Sequence, residues 1–145
     1  MKTFNFSLKL PAALFIWFLP GIAAHASESS QATTTSKQAS VDVAWSKQPD
    51  GDVRFDFKTT PAKGLKINSE GPWSLEIKGH SGLTIPKPKL GKPEFQESLP
   101  GFSLMSKPTA KSGKIEFKMV VFVCTESKAQ CFRDVQQGSL NWNLN

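Results

Sequence analysis

From Val41 onward, large apolar residues fall on every second position. Val41, Val43 and Trp45 alternate with smaller or polar neighbours, and so do Val53, Phe55 and Phe57. Trp73, Leu75 and Ile77 follow the same rule, as do Ile115, Phe117 and Met119. A period of two turns one face of a segment to a core and the other to solvent, which predicts β-strands. No long stretch repeats at the helical period of 3.6. Gln48-Pro49-Asp50-Gly51 separates the first two segments with strong turn chemistry and predicts a hairpin. Leu83 and Ile85 predict a short strand. The stretch Pro86-Lys87-Pro88-Lys89-Leu90-Gly91-Lys92-Pro93 then predicts an edge or loop, because proline donates no backbone hydrogen bond. Phe102 and Leu104 open another short strand, and Leu140, Trp142 and Leu144 alternate with Asn141 and Asn143 in a closing one. Roughly seven or eight strands punctuated by Pro, Gly and Asn predict an all-β, immunoglobulin-like antiparallel β-sandwich.

The first forty residues read differently. Lys2 and Lys9, the apolar run Leu10–Ala24 and the triplet Ala24-His25-Ala26 have the layout of a secretory signal peptide over residues 1–26. Pro20 and Gly21 break that run, which is too short to span a bilayer. Residues 27–40 are rich in Ser, Thr and Gln without a large apolar side chain and predict a flexible leader. The domain then covers residues 41–145, with no membrane span after cleavage. Export places the protein in the periplasm of a Gram-negative bacterium or outside the cell. The chain's net charge of +6 falls to +4 once Lys2 and Lys9 are removed. Its lysines are dispersed rather than clustered, which argues against nucleic acid as a partner.

The chain has two cysteines, Cys124 and Cys131, at the end of the apolar run Val120-Val121-Phe122-Val123. An apolar strand, a polar connection and a returning segment set two thiols opposite each other. Opposed residues of an antiparallel pair lie about 4.5–5.5 Å apart at Cα, inside the ~4.4–6.8 Å range of a disulfide. An oxidising compartment preserves such a bond. A ring of about eight residues contributes roughly 2.5 kcal/mol in the chain-entropy model, less than a long-range link would. The pair is therefore either a modest staple or a reactive centre. Lys128 and Arg133 would lower a thiol pKa, and Glu126 and Asp134 would oppose them. His80 is the one histidine left after processing, so zinc sites of four cysteines, or of two cysteines and two histidines, are excluded. No metal or other cofactor is expected.

The run Val121-Phe122-Val123-Cys124 through Gln130-Cys131-Phe132, with the alternating strand that follows, resembles the amino-terminal periplasmic domain of the DsbD thiol:disulfide interchange family. Gly64-Leu65-Lys66-Ile67-Asn68 and Gly71-Pro72-Trp73-Ser74-Leu75 are similar to a stretch of solitary domains of that group. The resemblance covers residues 41–145. It implies an immunoglobulin-like sandwich whose Cys124/Cys131 pair cycles between dithiol and disulfide. It also implies that Phe132 shields the sulfurs, and that the partners are periplasmic thioredoxin-like or membrane electron-carrier proteins. The membrane and thioredoxin-like domains of DsbD have no counterpart in these residues, and the sequence has no tyrosine. Cys131, at the start of the returning segment, is the sulfur expected to be attacked, with Cys124 as the more buried resolving partner.

The alternative is a non-catalytic exported β-sandwich, a binding or structural module whose disulfide only ties a hairpin. Gly79-His80-Ser81-Gly82 lacks the glycine that a nucleophile elbow needs at Leu83. His80 reads as a polar turn residue. Trp45, Trp73 and Trp142 read as core. Lys87, Lys89 and Lys92 suit either an anionic surface or, better, the protection of a sheet edge.

Overall fold

Each alternating segment becomes a strand in the computed structural model, which describes residues 30–145. The strands are β1 (Gln31–Thr35), β2 (Ala39–Lys47), β3 (Val53–Pro61), β4 (Leu65–Ile67) and β5 (Ser74–Ser81). They continue with β6 (Leu83–Thr84), β7 (Lys89–Leu90), β8 (Gly101–Pro108), β9 (Ser112–Thr125) and β10 (Cys131–Asn143). One sheet runs β1-β2-β3-β8-β6 and the other β10-β9-β5-β7, with β4 also paired to β9. All the pairings are antiparallel. The result is an all-β sandwich. The signal-peptide reading and residues 27–29 lie outside the described residues.

The period-two faces meet in the middle. Val41, Val43, Val53, Phe55, Phe57, Phe102 and Leu104 come from the first sheet. Trp73, Leu75, Ile115, Phe117, Met119, Val121, Val123, Leu140 and Trp142 oppose them from the second. Phe57 and Phe117 meet edge to face across the layers, with ring centroids 5.1 Å apart. The expected β2–β3 hairpin forms: Gly51 N–H donates to the Gln48 carbonyl, and Gly51 takes φ +91°, which glycine adopts without a Cβ clash. Trp73 and Trp142 are buried, whereas Trp45 is half-buried and donates its indole N–H to Ser30 Oγ at 2.9 Å.

The leader expected over residues 27–40 needs correction. Gln31–Thr35 is an edge strand paired along its whole length with β2, from Gln31↔Ala44 to Thr35↔Ser40. Three consecutive threonines are β-branched and suit a pleated edge without an apolar stripe. β1 also lies along β10, where a Cβ on Gly138 would come within 2.6 Å of Thr34 Cγ2. Ser30 Oγ donates to the Asn141 carbonyl and Ser36 Oγ to the Asp134 carboxylate, so the strand covers the free edge of the second sheet.

The proline-rich stretch covers another edge. β7 pairs with β5 through Leu75↔Leu90 and Glu76↔Lys89, and one 3₁₀ turn follows over Lys92–Glu94. Its lysines are tied to the fold. Lys87 binds Glu94, Lys89 lies 3.1 Å from Glu76, and Lys92 sits 5.6 Å above the Phe95 ring. The Lys89 hydrogen bond holds the Glu76 carboxyl below its ordinary range, and the Lys87 bond does the same for Glu94.

Candidate functional site

β9 and β10 form the longest ladder of the fold, in register from Asn143↔Ser112 to Cys131↔Cys124. The two cysteines are therefore directly opposed where the ladder meets its hairpin loop. They are joined as a disulfide with Cα atoms 4.0 Å apart. The next pair out is Thr125 and Gln130, whose backbone N–H···O bond measures 2.8 Å. By the alternation of antiparallel ladders, the cysteines occupy a non-hydrogen-bonded pair, the closer of the two kinds. Gln130 N–H also reaches Thr125 Oγ1 at 3.3 Å, and Lys128 N–H reaches the Thr125 carbonyl at 2.9 Å. The loop is closed by its own hydrogen bonds as well as by the sulfurs.

Side chains alternate across a strand, so the faces can be assigned. Ile115, Phe117, Met119, Val121 and Val123 point into the core. Cys124 therefore shares the outer face with Phe122 and Val120. Across the ladder, Cys131, Arg133 and Val135 occupy that same outer face, opposite Cys124, Phe122 and Val120. Cys124 is 4% exposed and Cys131 is exposed, so Cys124 is the more buried of the two. The disulfide thus sits on the outside of a sheet, at its open end.

Phe132 does not shield the sulfurs. It pairs with Val123 and packs against the core cluster, because the residue after Cys131 must face the other way. The aromatic side chain on the sulfur face is Phe122, two residues before Cys124. The 68–73 segment crosses against it: a Cβ on Gly71 would lie 2.4 Å from Phe122 Cγ, so glycine is needed for this close approach. The Asn68 carbonyl accepts the Trp73 indole N–H at 2.7 Å, and Asn68 N–H donates to the Phe122 carbonyl at 2.9 Å. Trp73 stacks on Phe95 with centroids 4.4 Å apart, anchoring the segment to the core.

Between that segment and the hairpin loop lies a hollow of about 140 Å³. Cys124 and Thr125 line it beside Lys66, Glu70, Glu126 and Lys128. Lys66 is opposed to Cys124 through the β4–β9 pairing, and its ammonium lies 3.5 Å from Glu126. Lys66 is a residue that reading along the chain could not attach to the sulfurs, since strand pairing brings it there from far upstream. Asp134, expected to oppose the cations, faces inward instead. There Gln136 Nε2 donates to its carboxylate at 2.6 Å.

Elsewhere, His80 is exposed and, with Gly79, Ser81, Lys114 and Glu116, borders a shallow depression of about 220 Å³. Ser81 Oγ accepts the Lys114 backbone N–H at 3.0 Å, with no general base arranged on it. Among the described residues, no group of three or more His, Cys, Asp or Glu side chains is placed to hold a metal ion. No helix among them is long and apolar enough to cross a membrane.

The fold and site together define a small all-β sandwich that carries a cross-strand disulfide on its outer face. Comparison with protein-family models, with curated proteins and with solved structures finds no match.

Proposed function

We propose that the Cys124/Cys131 pair is a thiol–disulfide interchange site, passing electrons between this domain and partner oxidoreductases. The observation that carries the reading is the placement of the sulfurs. They lie on the outer face of a sheet, Cys131 exposed and Cys124 buried, at the end of a ladder that hydrogen bonds already close. A bond placed to hold the sandwich together would be expected to link distant segments, because stabilisation grows with loop length. This one spans a sequence separation of 7.

In the reducing direction, a partner thiolate attacks Sγ of Cys131. An intermolecular S–S bond forms, the Cys124–Cys131 bond breaks, and Cys124 leaves as a thiolate. The partner's second thiolate then attacks its own disulfide-bonded sulfur and releases Cys131. The pair gains two electrons and the partner becomes a disulfide. Periplasmic thioredoxin-like or membrane electron-carrier proteins are the partner class, as the DsbD resemblance implies, and the exchange needs no cofactor.

Single substitutions test this. Cys124→Ser leaves Cys131 as a free accessible thiol that attacks a partner disulfide and displaces one partner thiolate, and it is expected to accumulate mixed disulfides with oxidised partners under non-reducing electrophoresis. Cys131→Ser leaves only the buried Cys124 and is expected to accumulate far fewer. Absence of trapped species with both variants would leave the disulfide as a hairpin tie in an exported β-module.

A further inference from the structure

The charges around the two sulfurs are not symmetric. Both carboxylates that line the hollow, Glu70 and Glu126, lie on the Cys124 side, and Lys66 engages Glu126. On the Cys131 side the outer face continues to Arg133, two residues along β10 and therefore about 7 Å further on the same face. Arg133 is exposed and forms no ion pair among the described residues. The nearest acid in sequence, Asp134, is turned inward to Ser36 and Gln136. Lys128 adds a further exposed cation at the loop. Its backbone takes φ 57°, and its ammonium likewise has no carboxylate partner among the described residues. Arg133 thus stands on the face of the exposed Cys131 without an acid paired to it, while Lys128 lines the hollow that also holds Glu70 and Glu126.

We infer that the pair selects thiols presented beside acidic groups, so that its partner carries carboxylates next to the reacting cysteine. This rests on the interchange reading and specifies its substrate class. Two effects act together. Carboxylates flanking the incoming sulfur are attracted by Arg133, which raises the encounter rate at low salt. The attacking thiolate is itself an anion and meets a positive rather than a neutral approach. Arg133 is the register partner of Phe122 on the outer face.

The test uses the oxidised protein and three capped peptides, Asp-Cys-Asp, Ser-Cys-Ser and Lys-Cys-Lys. The rate of opening of the Cys124–Cys131 bond is measured for each and expressed per thiolate. The acidic peptide is expected to react about 5–10-fold faster than the basic one at low ionic strength, with the ratio shrinking at high salt. Arg133→Gln, at an exposed position, is expected to cut that ratio by about half or more, and Lys128→Gln, beside Glu70 and Glu126, by less. Mercaptoethanesulfonate against mercaptoethanol separates local charge from peptide contacts: the anionic small thiol should also be favoured. Equal rates, or a faster basic peptide, would overturn the selectivity while leaving interchange standing. If no thiol opens the bond in the folded protein, the interchange reading fails and the selectivity with it.

Discussion

The two ends of the β9–β10 ladder are built on opposite principles. At the Ser112–Asn143 end, packing leaves no room. A Cβ on Gly113 would lie 2.0 Å from the Ser81 carbonyl oxygen, and Trp142 is 1% exposed, with its indole N–H buried and unpartnered. Gly82 closes that end at φ +71°, where a Cβ would strike the Ser112 carbonyl at 2.5 Å. At the Cys124–Cys131 end the ladder opens into an exposed loop, a small hollow and a sulfur that solvent reaches. One end secures the sandwich by burial. The other holds its covalent bond between a buried cysteine and an exposed one. Close packing and the disulfide-bearing open end are kept apart along a single strand pair.

The contrast breaks most sharply at the tight end. Trp142→Ala is expected to cost about 3–5 kcal/mol, read from denaturant unfolding, because it empties a large buried site. Reducing the disulfide should cost less, roughly 2.5 kcal/mol, and leave the far-ultraviolet circular dichroism unchanged. If reduction cost more than Trp142→Ala, or unfolded the domain, the sulfur end would be the structural one. Gly71→Ala should cost about 1–3 kcal/mol by pushing the 68–73 segment off Phe122. It should also speed opening of the disulfide by small thiols, since that segment walls the hollow beside Cys124.

The smallest effect belongs to the proline-rich edge. Glu94 has its folded pKa depressed by Lys87, so its contribution to stability is fully present above the ordinary carboxylate pKa. It is lost as pH falls through the depressed folded value. A carboxyl titration followed by NMR should place Glu94 below 4.5, and Lys87→Gln should return it toward that value.

The sandwich was legible because its core strands obey a period of two, and Phe55, Phe57, Ile115 and Phe117 needed nothing else. β1 was hidden because threonine edges carry no apolar stripe; what fixes that strand is pairing with β2 and contact with β10. Within the site, the opposition of Cys124 and Cys131 followed from hairpin spacing. Assigning Phe132 to the sulfurs failed because adjacency in sequence is opposition in a strand. Lys66 and the 68–73 segment reach the site through non-local β4–β9 pairing, which no local pattern encodes. Arg133 was visible as a nearby charge, but that Asp134 faces away from it follows only from the register.

The reduction potential of the Cys124/Cys131 pair, measured by equilibration with a glutathione buffer, tests the separation most directly. An exchanging pair is expected at about −180 to −230 mV, near the poise of known interchange partners, with the reduced form still folded. A value below about −300 mV would mark the bond as a permanent tie and contradict the proposed interchange.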